Sequence, residues 1–221
     1  MERIDLFPLY LSIKVSVIAT AISFFIGLAI AWVMAKKEFV GKNFLDALVM
    51  QPLIIPPTVL GYYLLVMLGR TSPLGRFLED SLGLPIVFTW KGAVVAAAVA
   101  SMPLFIKPAR SAIESVDSHI ENAARLLGKS ELKVFTSITF PLAKRGILTG
   151  GVMAFARAMG DFGTTLMVAG NIPGKTQTAS IAIYDAVQTN NTSLANILVL
   201  IITIFSISVL FWVNKFTKGK Y

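Results

Sequence analysis

Five apolar blocks, each about long enough to cross a membrane, constrain this chain more than any other feature. They cover residues 9–35, 44–69, 86–106, 146–169 and 194–213 of the 221-residue sequence. A helix that crosses the hydrocarbon core of a bilayer needs about 20 mostly apolar residues. Only 14 % of the residues are charged, whereas a soluble domain carries about a quarter. We therefore predict an all-α integral membrane protein with five transmembrane helices, in a single domain over residues 1–221.

Lys and Arg residues are distributed unevenly over the predicted loops. Thirteen of them lie in the segments after the first span, between the third and fourth spans, and after the fifth span. Five lie in the segments on the opposite side of the membrane. Cytoplasmic loops are enriched in Lys and Arg. This bias predicts that the N-terminus lies outside, that the C-terminus is cytoplasmic, and that the long polar segment 107–145 is a cytoplasmic loop.

The sequence offers little material for catalysis or metal binding. It contains no Cys and a single His, His119, so disulfides and thiolate metal sites are excluded. Residues 169–176 read AGNIPGKT and match a permissive phosphate-loop pattern, but they follow a membrane span rather than a buried strand. We interpret them as an external turn. We expect no catalytic residue, no cofactor, no metal and, because the basic residues are split among loops, no nucleic-acid partner.

The segment 117–145 has the pattern of two short helices. Ser118 and Glu121 match a capping box, Gly128 predicts a left-handed C-terminal cap, and a second helix is expected to start at Ser130 and end at Pro141. Apolar residues recur at helical spacing along the first helix: Ile120, Ala123, Ala124 and Leu127. On this pattern alone, the stripe either packs beneath its own bundle or docks onto a partner.

Two of the predicted spans contain residues that are unusual inside a membrane. Pro52, Pro56 and Pro57 remove backbone donors from the second span, which predicts a kink beside a cavity or a purely structural kink. Arg157 and Asp161, four residues apart in the fourth span, share one helix face. They form either an ion pair that orients the helix or a polar wall of a conducting path. Small residues in the same span predict close helix packing: Gly146, Gly150, Ala154 and Ala158.

Residues 121–128 read ENAARLLG and residues 140–143 read FPLA. This pattern resembles the EAA signature of the permeases in binding-protein-dependent ABC importers. Residues 154–163, AFARAMGDFG, and residues 171–174, NIPG, are similar to the molybdate permeases of that family. The resemblance implies a multi-pass permease subunit of the cytoplasmic membrane, without a catalytic site of its own, that imports an oxyanion. Molybdate is the first expectation, and tungstate and sulfate are the alternatives within the family.

The resemblance also implies an assembly. Two permease copies would bind two separate ABC ATPase subunits, and an extracytoplasmic oxyanion-binding protein would deliver the substrate. It assigns the helix pair in the cytoplasmic loop to coupling with the ATPase, through Glu121, Ala123, Ala124, Gly128 and Pro141. Our hypothesis for the translocation path takes residues from the two unusual spans: Pro56, Pro57, Arg157, Asp161, Thr164 and Thr165. A stand-alone secondary transporter and a membrane-embedded enzyme are the rival classes, which the scarcity of acidic and His residues in the spans disfavours.

Overall fold

The computed structural model describes residues 5–217, which form helices and turns and no strand. The predicted all-α class is confirmed. Two π-helical turns cover Phe77–Ser81 and Phe135–Thr139. Arg3, Lys218 and Lys220, which count toward the predicted orientation, lie outside the described residues. The α-helices are α1 (Phe7–Lys36), α2 (Lys42–Ile54), α3 (Pro57–Leu68), α4 (Pro73–Arg76), α5 (Trp90–Glu114), α6 (Ser118–Leu126), α7 (Glu131–Val134), α8 (Phe140–Met159), α9 (Gly163–Ala169), α10 (Ala179–Gln188) and α11 (Thr192–Thr217).

Helix α5 forms the centre of the bundle and packs against both α1 and α8, which also contact each other. Glycines allow these approaches, because a Cβ atom on Gly27 would lie 2.7 Å from the Phe105 ring and one on Gly150 would lie 2.7 Å from the Phe105 carbonyl oxygen. Ala154 and Ala158 of α8 are buried as well. The predicted role of small residues in close helix packing is confirmed.

The third predicted span is shifted toward the C-terminus. It was expected over 86–106, but α5 begins at Trp90, where the Thr89 hydroxyl accepts the Gly92 N–H at 3.4 Å, and it continues to Glu114. Pro108 does not end the helix. The residues beyond it, Ala109 and Ile113, are fully buried in the core, and this packing carries the helix past the proline.

The second predicted span is broken into two helices. The axes of α2 and α3 differ by 115°. The Ile55 N–H closes α2 by donating to the Gln51 carbonyl, and the Pro56 carbonyl accepts the first amides of α3. The predicted kink is present, but it is a sharp break between two separate helices. The fourth predicted span, 146–169, is also divided, because α8 ends at Met159 and α9 starts at Gly163.

Three helices of the described residues are long and apolar enough to cross a membrane: α1, α5 and the Thr192–Val209 part of α11. The bent pair of α2 and α3 makes a fourth if it counts as one span. Helix α8 has 20 residues but carries Lys144, Arg145 and Arg157. The five-span arrangement and its orientation therefore remain predictions from the sequence.

Candidate functional site

The segment between α5 and α8 folds into a hairpin of two short helices, α6 and α7. The Asp117 carboxylate caps α6 by accepting the His119 N–H at 2.8 Å. Ser118 is the first residue of the helix and not its cap, so the predicted capping box is wrong. Asp117 supplies the capping oxygen one residue earlier, and the Glu121 carboxylate points into the molecule instead of toward the helix start.

The turn of the hairpin agrees with the prediction. Gly128 has a φ of +77°, a left-handed conformation that glycine adopts without steric cost. Its N–H donates to the Arg125 carbonyl at 2.9 Å, and the Lys129 N–H donates to the Ala124 carbonyl at 3.1 Å. These two bonds form a Schellman motif, which satisfies the last carbonyls of α6. Ser130 precedes α7, as expected.

Pro141 does not end the second helix, contrary to the prediction. Helix α7 runs through the π turn directly into α8, and the Phe140 N–H donates to the Phe135 carbonyl, five residues earlier. Pro141 then lies in the first turn of α8. A proline is tolerated there because the π turn directly before it already interrupts the regular ladder of hydrogen bonds.

The hairpin presents large aliphatic side chains to its surroundings. Four of them are exposed, by 89 % at Leu126, 82 % at Leu127, 74 % at Leu132 and 48 % at Ile120; we call these four residues the apolar patch. Ala123 is exposed as well, whereas Ala124 is buried. Soluble surfaces rarely expose so many large apolar side chains without a binding role. Most of the predicted stripe thus faces outward and does not pack beneath the bundle.

An ion pair bridges the two helices of the hairpin. The Arg125 guanidinium donates to the Glu131 carboxylate at 2.7 Å from Nε and 3.2 Å from Nη2. The hydrogen bond from Arg125 lowers the pKa of Glu131 below its ordinary value. The same bond raises the pKa of Arg125. Both groups are charged at neutral pH, and the pair holds α6 against α7.

Glu121 is the buried acid of the hairpin, with 2 % of its surface exposed. Its Oε2 accepts the Lys36 ammonium at 2.8 Å and its Oε1 accepts the Thr139 hydroxyl at 2.6 Å. The sequence reasoning placed Glu121 on the docking side and missed Lys36 and Thr139. The three-residue spacing of Glu121 and Ala124 could have indicated that Glu121 is buried, because it places both residues on the same face of α6.

The break between α8 and α9 is organised around the Asp161 carboxylate. Its Oδ2 accepts the Thr165 N–H at 2.9 Å and the Thr165 hydroxyl at 2.7 Å. Its Oδ1 accepts the Thr164 hydroxyl at 3.2 Å and Arg157 Nη1 at 3.0 Å. Asp161 therefore caps the first turn of α9 while it pairs with α8. The predicted Arg157–Asp161 ion pair is present.

The side chains around this break differ in exposure. Asp161, Thr164 and Thr165 are buried, whereas about a quarter of the Arg157 side chain is exposed. Among the hydrogen bonds of the described residues, the guanidinium of Arg157 donates through Nη1 alone. The two threonine hydroxyls are directed at Asp161. Of the four residues, Arg157 is the one that reaches the surface of this chain.

The two helix breaks lie against each other. A Cβ atom on Gly163 would lie 3.1 Å from Pro57 Cβ, and one on Gly61 would lie 2.6 Å from Met167 Cβ. Helix α3 thus packs closely on α9. The predicted path residues Pro56 and Pro57, both exposed, adjoin the polar break that contains Asp161. The structure brings these two groups together, although they are a hundred residues apart in the sequence.

The segment that matches the phosphate-loop pattern is a closed turn. The Ile172 carbonyl accepts the N–H groups of Lys175, Thr176 and Gln177. A phosphate loop leaves such amides open to the ligand. Here they are turned onto the protein's own backbone, which agrees with the interpretation of this segment as a turn.

The fold and these two sites define a multi-pass, all-helical membrane protein with a hairpin that exposes large apolar side chains. Residues 23–219 match the family model described as "Binding-protein-dependent transport system inner membrane component", and the chain belongs to that family. The resemblance seen in the sequence is confirmed.

Individual relatives agree with the family assignment. The chain is 42 % identical over 214 residues to the Molybdenum transport system permease protein ModB of Escherichia coli (strain K12), covering 95 % of this chain and 93 % of the relative. It is 30 % identical to the probable sulfate transport system permease protein cysT of Prototheca wickerhamii, covering 92 % of this chain and 79 % of the relative. A solved inward-facing structure of the MetNI methionine ABC transporter shares the fold, with a TM-score of 0.69, 15 % identity, and coverage of 96 % of this chain and 93 % of that chain.

Proposed function

We propose that this chain is the permease subunit of an ATP-driven importer that carries a tetrahedral oxyanion, molybdate, across the cytoplasmic membrane. The 42 % identity to a molybdenum transport permease supports this substrate. The lower identity to a sulfate permease makes sulfate, and with it the chemically similar tungstate, the alternative. The chain itself supplies the path, and a separate subunit hydrolyses ATP.

The apolar patch of the hairpin is the observation that carries the ATP-driven mechanism. A hydrophobic patch framed by charged residues is typical of a protein-binding surface. Lys129 and Lys133 flank the patch and are exposed. In our proposal, Leu126, Leu127 and Leu132 insert into a groove on an ATPase subunit. Ala123, Gly128 and Pro141 are exposed, whereas Glu121 and Ala124 are buried and contribute to coupling through the packing of the hairpin.

The proposed assembly contains two permease copies and two ATPase subunits, served by an external oxyanion-binding protein. Helix α2 has no buried residue within this chain, and α3 exposes Tyr62, Tyr63 and Val66. A second permease copy beside these helices would enclose a path that one chain leaves open. The hairpin then faces the cytoplasm, as the thirteen basic residues of that side predict.

The translocation path in this proposal passes the two adjoining helix breaks. Arg157 offers guanidinium donors to a passing oxyanion, and Pro56 and Pro57 form the elbow on the other side. The Asp161 carboxylate offsets the charge of Arg157, so the contact with the anion is weak and permits release. Thr164 and Thr165 contribute by fixing Asp161. Tight selection of the oxyanion belongs to the external binding protein.

Uptake into vesicles tests this function. The permease is reconstituted with its ATPase subunit and binding protein, and labelled molybdate is supplied outside with ATP inside. We expect uptake to require ATP hydrolysis and to persist when ionophores collapse the proton and sodium gradients. Unlabelled molybdate should inhibit the uptake at a lower concentration than sulfate does. Preference for sulfate or tungstate would correct the substrate. Uptake that needs no ATPase and follows an ion gradient would identify a stand-alone secondary transporter and refute the proposal.

A further inference from the structure

The Glu121 carboxylate joins three helical segments that are distant in the sequence. Lys36 is the last residue of α1, Glu121 lies in α6, and Thr139 is the last residue of the π turn that leads into α8. Helix α6 has two buried residues, Glu121 and Ala124. The Glu121 carboxylate ties this first helix of the hairpin to the end of α1 and to the start of α8.

The charge balance of this junction depends on Lys36. The Glu121 side chain is 3 % exposed and the Lys36 side chain 16 % exposed. The nearest other cation, Arg125, lies 4.0 Å from Glu121 Oε2 and is engaged by Glu131. Removing one partner of a buried ion pair leaves a charge without compensation, whereas replacing both partners by apolar side chains is often tolerated. The junction is therefore a specific contact that a paired substitution can remove.

We propose that Lys36, Glu121 and Thr139 are positioning residues that make the hairpin move as one body with the ends of α1 and α8. This inference rests on the proposed function, in which an ATPase subunit grips the hairpin. Helix α1 packs along α5 in the core, and α8 leads to the polar break at Asp161. When the ATPase subunit displaces the hairpin, both the core and the polar break at Asp161 are therefore displaced with it. Without the junction, α6 could tilt on the Gly128 turn relative to α7, which continues through the π turn into α8.

The test measures how many oxyanions are transported for each ATP hydrolysed, in vesicles that contain the full complex and the binding protein. The variants are Lys36→Met, Glu121→Gln and the pair Lys36→Met/Glu121→Leu. Lys36→Arg keeps the charge as the conservative variant. Lys37→Met is the matched control, because Lys37 is the exposed neighbour of Lys36. Molybdate and sulfate are measured in parallel, and co-purification of the ATPase subunit reports docking separately.

We expect the paired variant to retain the ATPase subunit and to hydrolyse ATP, while transport per ATP falls about fivefold. Lys36→Arg and Lys37→Met should keep the ratio of the unmodified complex. A paired variant with docking, hydrolysis and transport ratio all unchanged would overturn the inference and leave the proposed function intact. If less complex assembles but each complex still transports the same number of oxyanions per ATP, the junction has only a structural role. That result would also overturn the inference. Failure of the unmodified permease to retain any ATPase subunit would refute the proposed function itself.

Discussion

Pro57 lies directly against Gly163, with its Cβ 3.1 Å from the position that a Cβ on residue 163 would occupy. This contact joins the elbow between α2 and α3 to the start of α9, two residues after Asp161. The two helix interruptions are therefore one structural unit. A side chain at position 163 would push the elbow away from the polar break.

Gly163→Val should destabilise the permease for this reason. Overpacking at a close helix contact costs about 1–3 kcal/mol, which thermal unfolding in detergent would detect as a lower midpoint. Gly151→Val is the matched control, because a Cβ at Gly151 meets no atom within 4 Å. Equal midpoints for the two variants would show that α3 and α9 do not pack as described.

The Arg157–Asp161 pair should matter for transport beyond its structural role. Asp161→Ala alone leaves the Arg157 guanidinium, the Thr165 N–H and two hydroxyls without their acceptor, and we expect a loss of stability of about 3–5 kcal/mol. The paired variant Arg157→Ala/Asp161→Asn removes both charges. It should assemble but import the oxyanion several-fold more slowly. Unchanged flux in the paired variant would mean that Arg157 does not line the path.

Leu127→Asp should weaken docking of the ATPase subunit and leave the folding of the permease nearly unchanged. The side chain is exposed, so the substitution should change the stability of the isolated permease by no more than about 0.5 kcal/mol. A charge at a buried contact should weaken binding of the ATPase subunit by at least about 2 kcal/mol, roughly thirtyfold. Leu82→Asp is the control, since Leu82 is exposed outside the hairpin. If both variants bind the ATPase equally, the apolar patch is not the docking surface.

The Arg125–Glu131 pair should keep the hairpin stable down to mildly acidic pH. Its pKa lies below the ordinary value of 4.5 because Arg125 donates a hydrogen bond to it. A lowered carboxylate pKa adds stability that is complete above the unfolded value and is lost as the pH falls through the folded value. Hydrogen exchange of residues 118–134, corrected for the intrinsic rate, should thus show constant protection from pH 8 to 6. Glu131→Gln should lower that protection throughout this range, and a steep change near neutral pH in the unmodified chain would contradict this assignment.

The orientation can be read from single cysteines, because the chain has none of its own. Cysteine at exposed position 127 should react with a membrane-impermeant maleimide only after the cytoplasmic side is opened. Lys175→Cys, at an exposed position in the closed turn, should react from outside in intact cells. The reverse pattern would invert the topology and place the hairpin away from cellular ATP.

Much of the fold follows from the sequence because a long apolar segment can adopt only a few conformations inside a bilayer. The helical class, the break at Pro56 and the turn at Gly128 each depend on local chemistry, namely backbone donors, proline and a left-handed glycine. Helix ends were less predictable. Ala109 and Ile113 extend α5 past Pro108 through tertiary packing, which the order of residues along the chain does not reveal.

The sequence identifies the residues of the sites more accurately than it identifies what each residue does. The spacing of Arg157 and Asp161 was sufficient to pair them, but the capping of α9 by Asp161 depends on a helix break that hydropathy does not mark. Glu121 was assigned to the docking side because it belongs to the recognised motif. Its true contacts, Lys36 and Thr139, come from other helices, so only the folded chain reveals them.

Photo-cross-linking from position 127 tests the central claim most directly. A photoreactive amino acid replaces Leu127 in the permease of the assembled complex, and a second sample carries it at Leu82. The account predicts that irradiation joins the permease to the ATPase subunit from position 127 and not from position 82. A product between position 127 and lipid or the permease itself, with none to the ATPase subunit, would contradict the account.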